Sequence, residues 1–274
     1  MPYTYLKRTI CAALLLALLH PLFSAENVTK PGQWIPLFNG KDLDGWTPKI
    51  TKHPVGENFA DTFRVEEGIL KVYYDKYDKF NGQFGHLYSN IPYANYKLRL
   101  EYRFTGSVMP DAPEYTILNI GVMVHSQSPL SMTLDQEFPV SLECQFLAGG
   151  GGSGPRQTGS VCTPGTNIEM GGKLITNHIV RSTAPIFPAE EWVGIEVEVH
   201  GSREIIYRVN GKEVLRYQRP QIDPDDGDAQ RKRVARKLLA AGASKIIGFG
   251  HIALQAEGHP VWFRNIELMS LEEN

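Results

Sequence analysis

The chain has 274 residues, with 28 basic against 30 acidic side chains and a formal net charge of −2, so it carries no broad basic field of the kind that binds nucleic acid. Three cysteines are too few for a disulfide scaffold at this length, and an apolar fraction of 42 % is ample for a sizeable core.

The first residues read as an export leader. Lys7 and Arg8 precede an apolar run from Ile10 to Leu19, too short to span a bilayer, and cleavage is expected after Ala25. Cys11 has no lipobox before it, so plain release is expected rather than a lipid anchor. Without residues 1–25 the balance becomes 26 basic against 30 acidic groups, a net of −4. Residues 26–274 are expected to form a single exported domain, periplasmic or extracellular, with no stable membrane span after leader cleavage.

Strand signals dominate from residue 35 onward. In residues 96–104, Tyr96, Leu98, Leu100, Tyr102 and Phe104 alternate with Lys97, Arg99, Glu101 and Arg103, the pattern of a half-buried antiparallel strand. Residues 120–127 form an apolar strand carrying His125, which burial would oblige to find a hydrogen-bonding partner. In residues 141–146, Ser141, Glu143 and Gln145 share one face and Leu142, Cys144 and Phe146 the other. The glycine-rich stretch 149–154 lacks the Lys and Ser/Thr of a phosphate-binding loop and is expected as a rim loop. Residues 192–201 alternate again, and Asn210-Gly211 predicts a two-residue hairpin. Helix-forming composition at 228–243 predicts one short helix, whose basic residues read as a solvated face. In residues 251–257, His251, Ala253, Gln255 and Glu257 oppose Ile252, Leu254 and Ala256. The fold class is therefore all-β, two packed antiparallel sheets with a single helix.

Glu143 with Gln145 and Glu257 with Gln255 each place a carboxylate and an amide two residues apart on a face that is not the core face. His86, His125 and His259 complete a pool that suits a divalent-metal site or acid–base chemistry if the strands are neighbours. No HExxH, CxxC or GxSxG is present, and a lone strand histidine is more often structural than a ligand. For Cys144 and Cys162, a disulfide and a pair of buried free thiols are both open.

The segment IPLFNGKDLDGWTP at 35–48 resembles the opening of a bacterial family of secreted concanavalin A-like sandwiches, described as 3-keto-glucoside 1,2-lyase / 3-keto-2-hydroxy-glucal hydratase or 3-keto-disaccharide hydrolase. The resemblance continues through FRVEEGILKV, FGHLYSNIPYANYKLRLEYRF, GVMVHSQSP, FPVSLECQFLAGG, TGSVCTPGTNIEM and HIALQAEGHPVWFRNIEL. It implies a jelly roll with its ligand on the concave face. It also implies a glycoside or oligosaccharide substrate already oxidised at C3 by a separate oxidoreductase. A C3 ketone acidifies the C2 proton, so such chemistry needs a base near C2, an electrophile at the C3 oxygen and a donor for the leaving oxygen. A divalent cation would serve as the electrophile.

The chemistry makes Glu143, His125 and Glu257 the catalytic candidates, with His125, Glu143 and His259 as metal ligands and Gln145, Gln255, His86 and Arg264 as substrate contacts. For Arg264 a structural ion pair is an equal alternative. Family members often carry an acidic residue where this chain has the glycine-rich loop, so loop contacts are expected to differ. Two other functions compete. A carbohydrate-binding module would use Trp34, Trp46, Tyr73, Tyr77 and Tyr88 as a platform. A conventional glycoside hydrolase would use Glu143 and Glu257 as its carboxylate pair.

Overall fold

The structure, a computed structural model, describes residues 31–151 and 156–272. The expected leader at 1–25 and the second half of the glycine-rich stretch lie outside the described residues.

Seventeen strands follow in chain order among the described residues: β1 (Trp34–Pro36), β2 (Trp46–Ile50), β3 (Phe63–Glu66), β4 (Ile69–Val72), β5 (Gly85–Ser89), β6 (Asn95–Phe104), β7 (Asn119–Ser126) and β8 (Leu142–Leu147). Then come β9 (Val161–Cys162), β10 (Thr166–Met170), β11 (Lys173–Ile175), β12 (Ile179–Val180), β13 (Val193–His200), β14 (Glu204–Val209) and β15 (Lys212–Ile222). The helix α1 (Ala229–Ala240) precedes β16 (His251–Ala256) and β17 (Val261–Ser270). One sheet has the order β11-β10-β15-β14-β13-β6-β17-β4-β3 with β1 added on β17, and the other β12-β9-β8-β7-β16-β5-β2. All pairings are antiparallel.

The alternation in the sequence becomes the core between these sheets. Leu98, Leu100, Tyr102 and Phe104 from β6 pack with Val122, Val124, Cys144, Phe146 and Leu254 from the other sheet in one buried cluster. Each such side chain contributes about 1.5–3 kcal/mol on burial. Tyr102 stacks on Phe146 with ring centroids 4.6 Å apart, and its hydroxyl donates to Thr158 Oγ1 at 2.9 Å. The Asn210-Gly211 turn joins β14 to β15, with φ of 47° and 79°, as a two-residue hairpin requires. The helix lies within the expected 228–243 segment. Asp228 caps it by accepting from Arg231 N–H at 2.9 Å, and Val234 and Ala235 bury against Val140 and Ile222.

The two cysteines are free thiols. Cys144 pairs in register with Val161 and faces the core, whereas Cys162 pairs with Glu143 on the opposite face. Neighbouring strands place them close in sequence register, but side chains on opposite faces of one sheet cannot be bridged. Among the described residues, no helix is long and apolar enough to cross a membrane.

Candidate functional site

The second face of the seven-stranded sheet bears a cavity of about 940 Å³, walled by β8, β9 and β7, by the segments around Tyr115 and Phe138, and by the first turn of α1. Glu143 and Gln145 project into it from alternate positions of β8, and Glu257 enters from the residue after β16. Gly121 on β7 makes room for Glu143. A Cβ there would stand 2.5 Å from Glu143 Cγ, so only a glycine lets the Glu143 side chain lie across β7. Glu257 is set by the turn that follows it. Gly258 has φ of 92°, and its N–H donates to Tyr74 Oη at 2.7 Å.

Both carboxyls are buried, and each keeps one oxygen, Glu143 Oε1 and Glu257 Oε2, without a hydrogen-bond partner in the protein. Asn119 Oδ1 and Gln157 Oε1, on the same walls, are likewise unpartnered. Burial pushes Glu143 up to about 7, against a hydrogen bond from Cys162 that acts the other way. Burial raises Glu257 well above the usual carboxylate range, the Glu143 charge raises it further, and Arg156 opposes both. Two buried carboxyls whose charges repel do not ionise together easily, so the pair gives up its first proton more readily than its second. Arg156 donates to the carbonyls of Ile117 and Tyr115. Gln145 makes no side-chain hydrogen bond within the described residues, leaving its amide free to donate into the cavity.

The structure brings together Glu143, Glu257 and Gln145 from the expected set, and separates the rest. His125 leaves the cavity because β7 bulges at its end. The residue takes φ of 50°, and its Nε2 bonds the Gly201 carbonyl at 2.9 Å, in the turn between β13 and β14. His259 packs edge-on against Phe104, and its Nδ1 accepts from Leu118 N–H at 3.3 Å. Burial lowers both imidazoles to about 4. The expected metal triad of His125, Glu143 and His259 is therefore not assembled. Among the described residues, no group of three or more His, Cys, Asp or Glu side chains is placed to hold a metal ion.

His86 and Gln255 face each other across β5 and β16 on the cavity side of the sheet, fully buried beneath Phe138 and outside the cavity itself. Burial and the Lys49 charge lower His86 to about 3. Arg264 lies on the outer face of the other sheet, paired with Glu101 at 2.6 Å and stacked 4.0 Å from the Trp192 ring. The ion pair, not the substrate contact, is what the structure shows for it.

The aromatic platform is not assembled either. Trp34 lies under Arg99 and Tyr73 under Arg64, while Trp46, Tyr77 and Tyr88 are buried. Cavity residues missed by sequence reasoning are Tyr115, Arg156, Cys162, His178, Gln230 and Arg231. Most sit on loops or on the helix, where no periodicity marks a functional face. Arg231 came from the stretch read as a solvated helix face, and here it pairs with Asp226 at 3.1 Å while lining the cavity.

A family model described as a 3-keto-alpha-glucoside-1,2-lyase-like domain matches residues 33–269 of the chain. No curated protein sequence matches it. Two crystal structures of Parabacteroides distasonis proteins provisionally assigned as glycosyl hydrolases are similar in fold. One has 18 % identity and a TM-score of 0.52, covering 87 % of this chain and 94 % of that one. The other has 20 % identity and a TM-score of 0.52, covering 87 % of this chain and 100 % of that one.

Proposed function

The chain belongs to the 3-keto-α-glucoside-1,2-lyase-like family, a family of carbohydrate-active enzymes, and from that premise we propose that it cleaves 3-keto-glycosides by elimination between C1 and C2 in the concave cavity. The observation that carries this reading is the buried Glu143–Glu257 pair with an unpartnered oxygen on each carboxyl. A pair that has given up only one of its two protons offers a base and an acid at the same pH.

The ionised carboxylate takes the C2 proton, and the electron pair moves into the C2–C3 enolate. The enolate then re-forms the C3 ketone and the C1–C2 double bond as the C1–O bond breaks. The leaving oxygen takes the proton of the other carboxyl, so the pair ends each turnover with one proton, as it began. Hydrogen-bond donors on the same wall, the Gln145 amide and the Arg156 guanidinium, suit the negative charge that grows on the C3 oxygen. Water adding across the double bond of the 2-hydroxy-glucal would complete net hydrolysis. A separate oxidation at C3 must precede the reaction, and an exported protein meeting glycosides outside the cytoplasm fits the expected leader.

Elimination and direct hydrolysis by the same two carboxylates differ at C2. Turnover of a 3-keto-glucoside in heavy water, read by NMR, should put deuterium on C2 of the hydrated product and show a 2-hydroxy-glucal intermediate. Release of aglycone from unoxidised glucosides, with C2 unlabelled, would overturn elimination in favour of a conventional glycoside hydrolase.

A further inference from the structure

From Glu143 a line of contacts runs away from Glu257 to the exposed rim. Cys162 stands directly opposite Glu143 in the β8–β9 pairing, and both side chains line the cavity. His178, just before β12 and lining the same cavity, has its Nε2 3.2 Å from Cys162 Sγ. The histidine is itself anchored through its carbonyl, which accepts from Thr163 N–H at 2.9 Å and from the Thr163 hydroxyl at 3.2 Å. Glu143 Oε1 is buried against Gly121 and has no hydrogen-bond partner in the protein.

We propose that Cys162 and His178 are positioning residues for Glu143: the imidazole N–H donates to the sulfur, the thiol donates to a carboxylate oxygen, and the carboxyl is thereby held in one orientation in the cavity. The proposal rests on the reading that Glu143 acts on the glycoside. A carboxylate offers only acceptors, so the thiol must be the donor in that contact. Burial, and then the charges of Glu143 and Glu257, raise the Cys162 thiol well above its usual range, which keeps its proton in place and makes it a donor rather than a nucleophile. Burial, and then Arg231, lower His178, which favours the neutral imidazole, and Nε2 is the ring nitrogen that faces the sulfur. The side-chain alternation of β9 is what makes this arrangement. Val161 goes to the core and Cys162 to the cavity.

Two readings on the purified full-length protein test the proposal. The first is the infrared S–H stretch, a spectral window free of other protein bands, with Cys162→Ala used to identify the Cys162 band. Glu143→Ala should move that band toward the free-thiol position and leave the Cys144 band in place, and a Cys162 band that Glu143→Ala does not move would overturn the contact. The second is kinetic, on a 3-keto-glucoside. Cys162→Ala should lower kcat about tenfold with KM changed less than twofold, the size expected for one lost hydrogen bond to a charged group. Cys162→Ser, which restores a donor, should recover most of the loss, and His178→Ala should cost about threefold. An unchanged kcat in Cys162→Ala, or Cys162→Ser no better than Cys162→Ala, would overturn the positioning role. If the wild-type protein turns over no 3-keto-glucoside, the proposed reaction fails, and the infrared band alone still decides whether the thiol holds Glu143.

Discussion

Glu143 and Glu198 are the same side chain on strands of opposite sheets, and their surroundings drive them in opposite directions. Burial pushes Glu198 up, but hydrogen bonds from His200, Arg208 and Lys97 outweigh it and hold the carboxyl at about 2. Arg208 reaches it at 2.6 Å, His200 at 2.8 Å and Lys97 at 3.2 Å. On the same outer face Arg99 pairs with Glu267 and Arg264 with Glu101, each at 2.6 Å. On the cavity face of the other sheet neither Glu143 nor Glu257 forms an ion pair among the described residues. Glu143, with only the Cys162 thiol against its burial, titrates at about 7, and its neighbour is a second carboxyl. Charges that are paired with each other serve the fold, and polar atoms buried without partners await something else.

The largest expected effect is on activity. Glu143→Gln and Glu257→Gln should each lower kcat on a 3-keto-glucoside about 10²–10⁴-fold, the range for loss of a positioned acid or base, while the purified variants keep the wild-type circular dichroism spectrum. Gly121→Ala should follow, because the new Cβ stands 2.5 Å from Glu143 Cγ and Oε1. Overpacking there is expected to cost about 1–3 kcal/mol in denaturant melts and to displace the carboxyl, with a loss of activity larger than the loss of stability alone explains.

The pH dependence of stability sharpens the contrast. Unfolded, Glu143 ionises near its ordinary 4.5, and folded near 7. Between those values the folded state holds a proton that the unfolded state has released, so this contribution is fully present below the lower value and is lost as pH rises through the upper one. The expected loss, on the order of 3 kcal/mol, should show as a decline in urea-melt stability from about pH 4.5 to about pH 7 that Glu143→Gln makes shallower, the raised Glu257 keeping the remainder. Glu198 runs the other way. Its depressed value contributes stability above the ordinary carboxylate range that is lost as pH falls through about 2. The smallest effect belongs to Arg264→Ala on the outer face, where loss of the half-exposed Glu101 pair should cost about 1 kcal/mol or less and leave turnover unchanged.

Much of this was legible in the sequence because β-strands alternate. Period-two patterns separate core from outer face in residues 96–104 and 192–201 and core from cavity side in 141–146 and 251–257, and the last two put Glu143, Gln145 and Glu257 on one wall. His125 was misread because it obeys the period and the backbone does not. A bulge at the end of β7 turns its side chain toward Gly201, and nothing in the residue types announces it. Gly121 was passed over for the converse reason. A strand glycine is silent until the side chain that occupies its missing Cβ position is known. The loop and helix residues Tyr115, Arg156, His178 and Arg231 reach the cavity through tertiary packing, which a local pattern does not encode.

Aglycone release from a 3-keto-glucoside by wild type, Glu143→Gln, Glu257→Gln and Arg264→Ala, measured side by side, tests the central claim most directly. The expected result is release with a 2-hydroxy-glucal intermediate in wild type and Arg264→Ala, and its loss in both glutamate variants. Release undiminished in Glu143→Gln and Glu257→Gln, or none by wild type across both anomers while glycan binding persists, would contradict it.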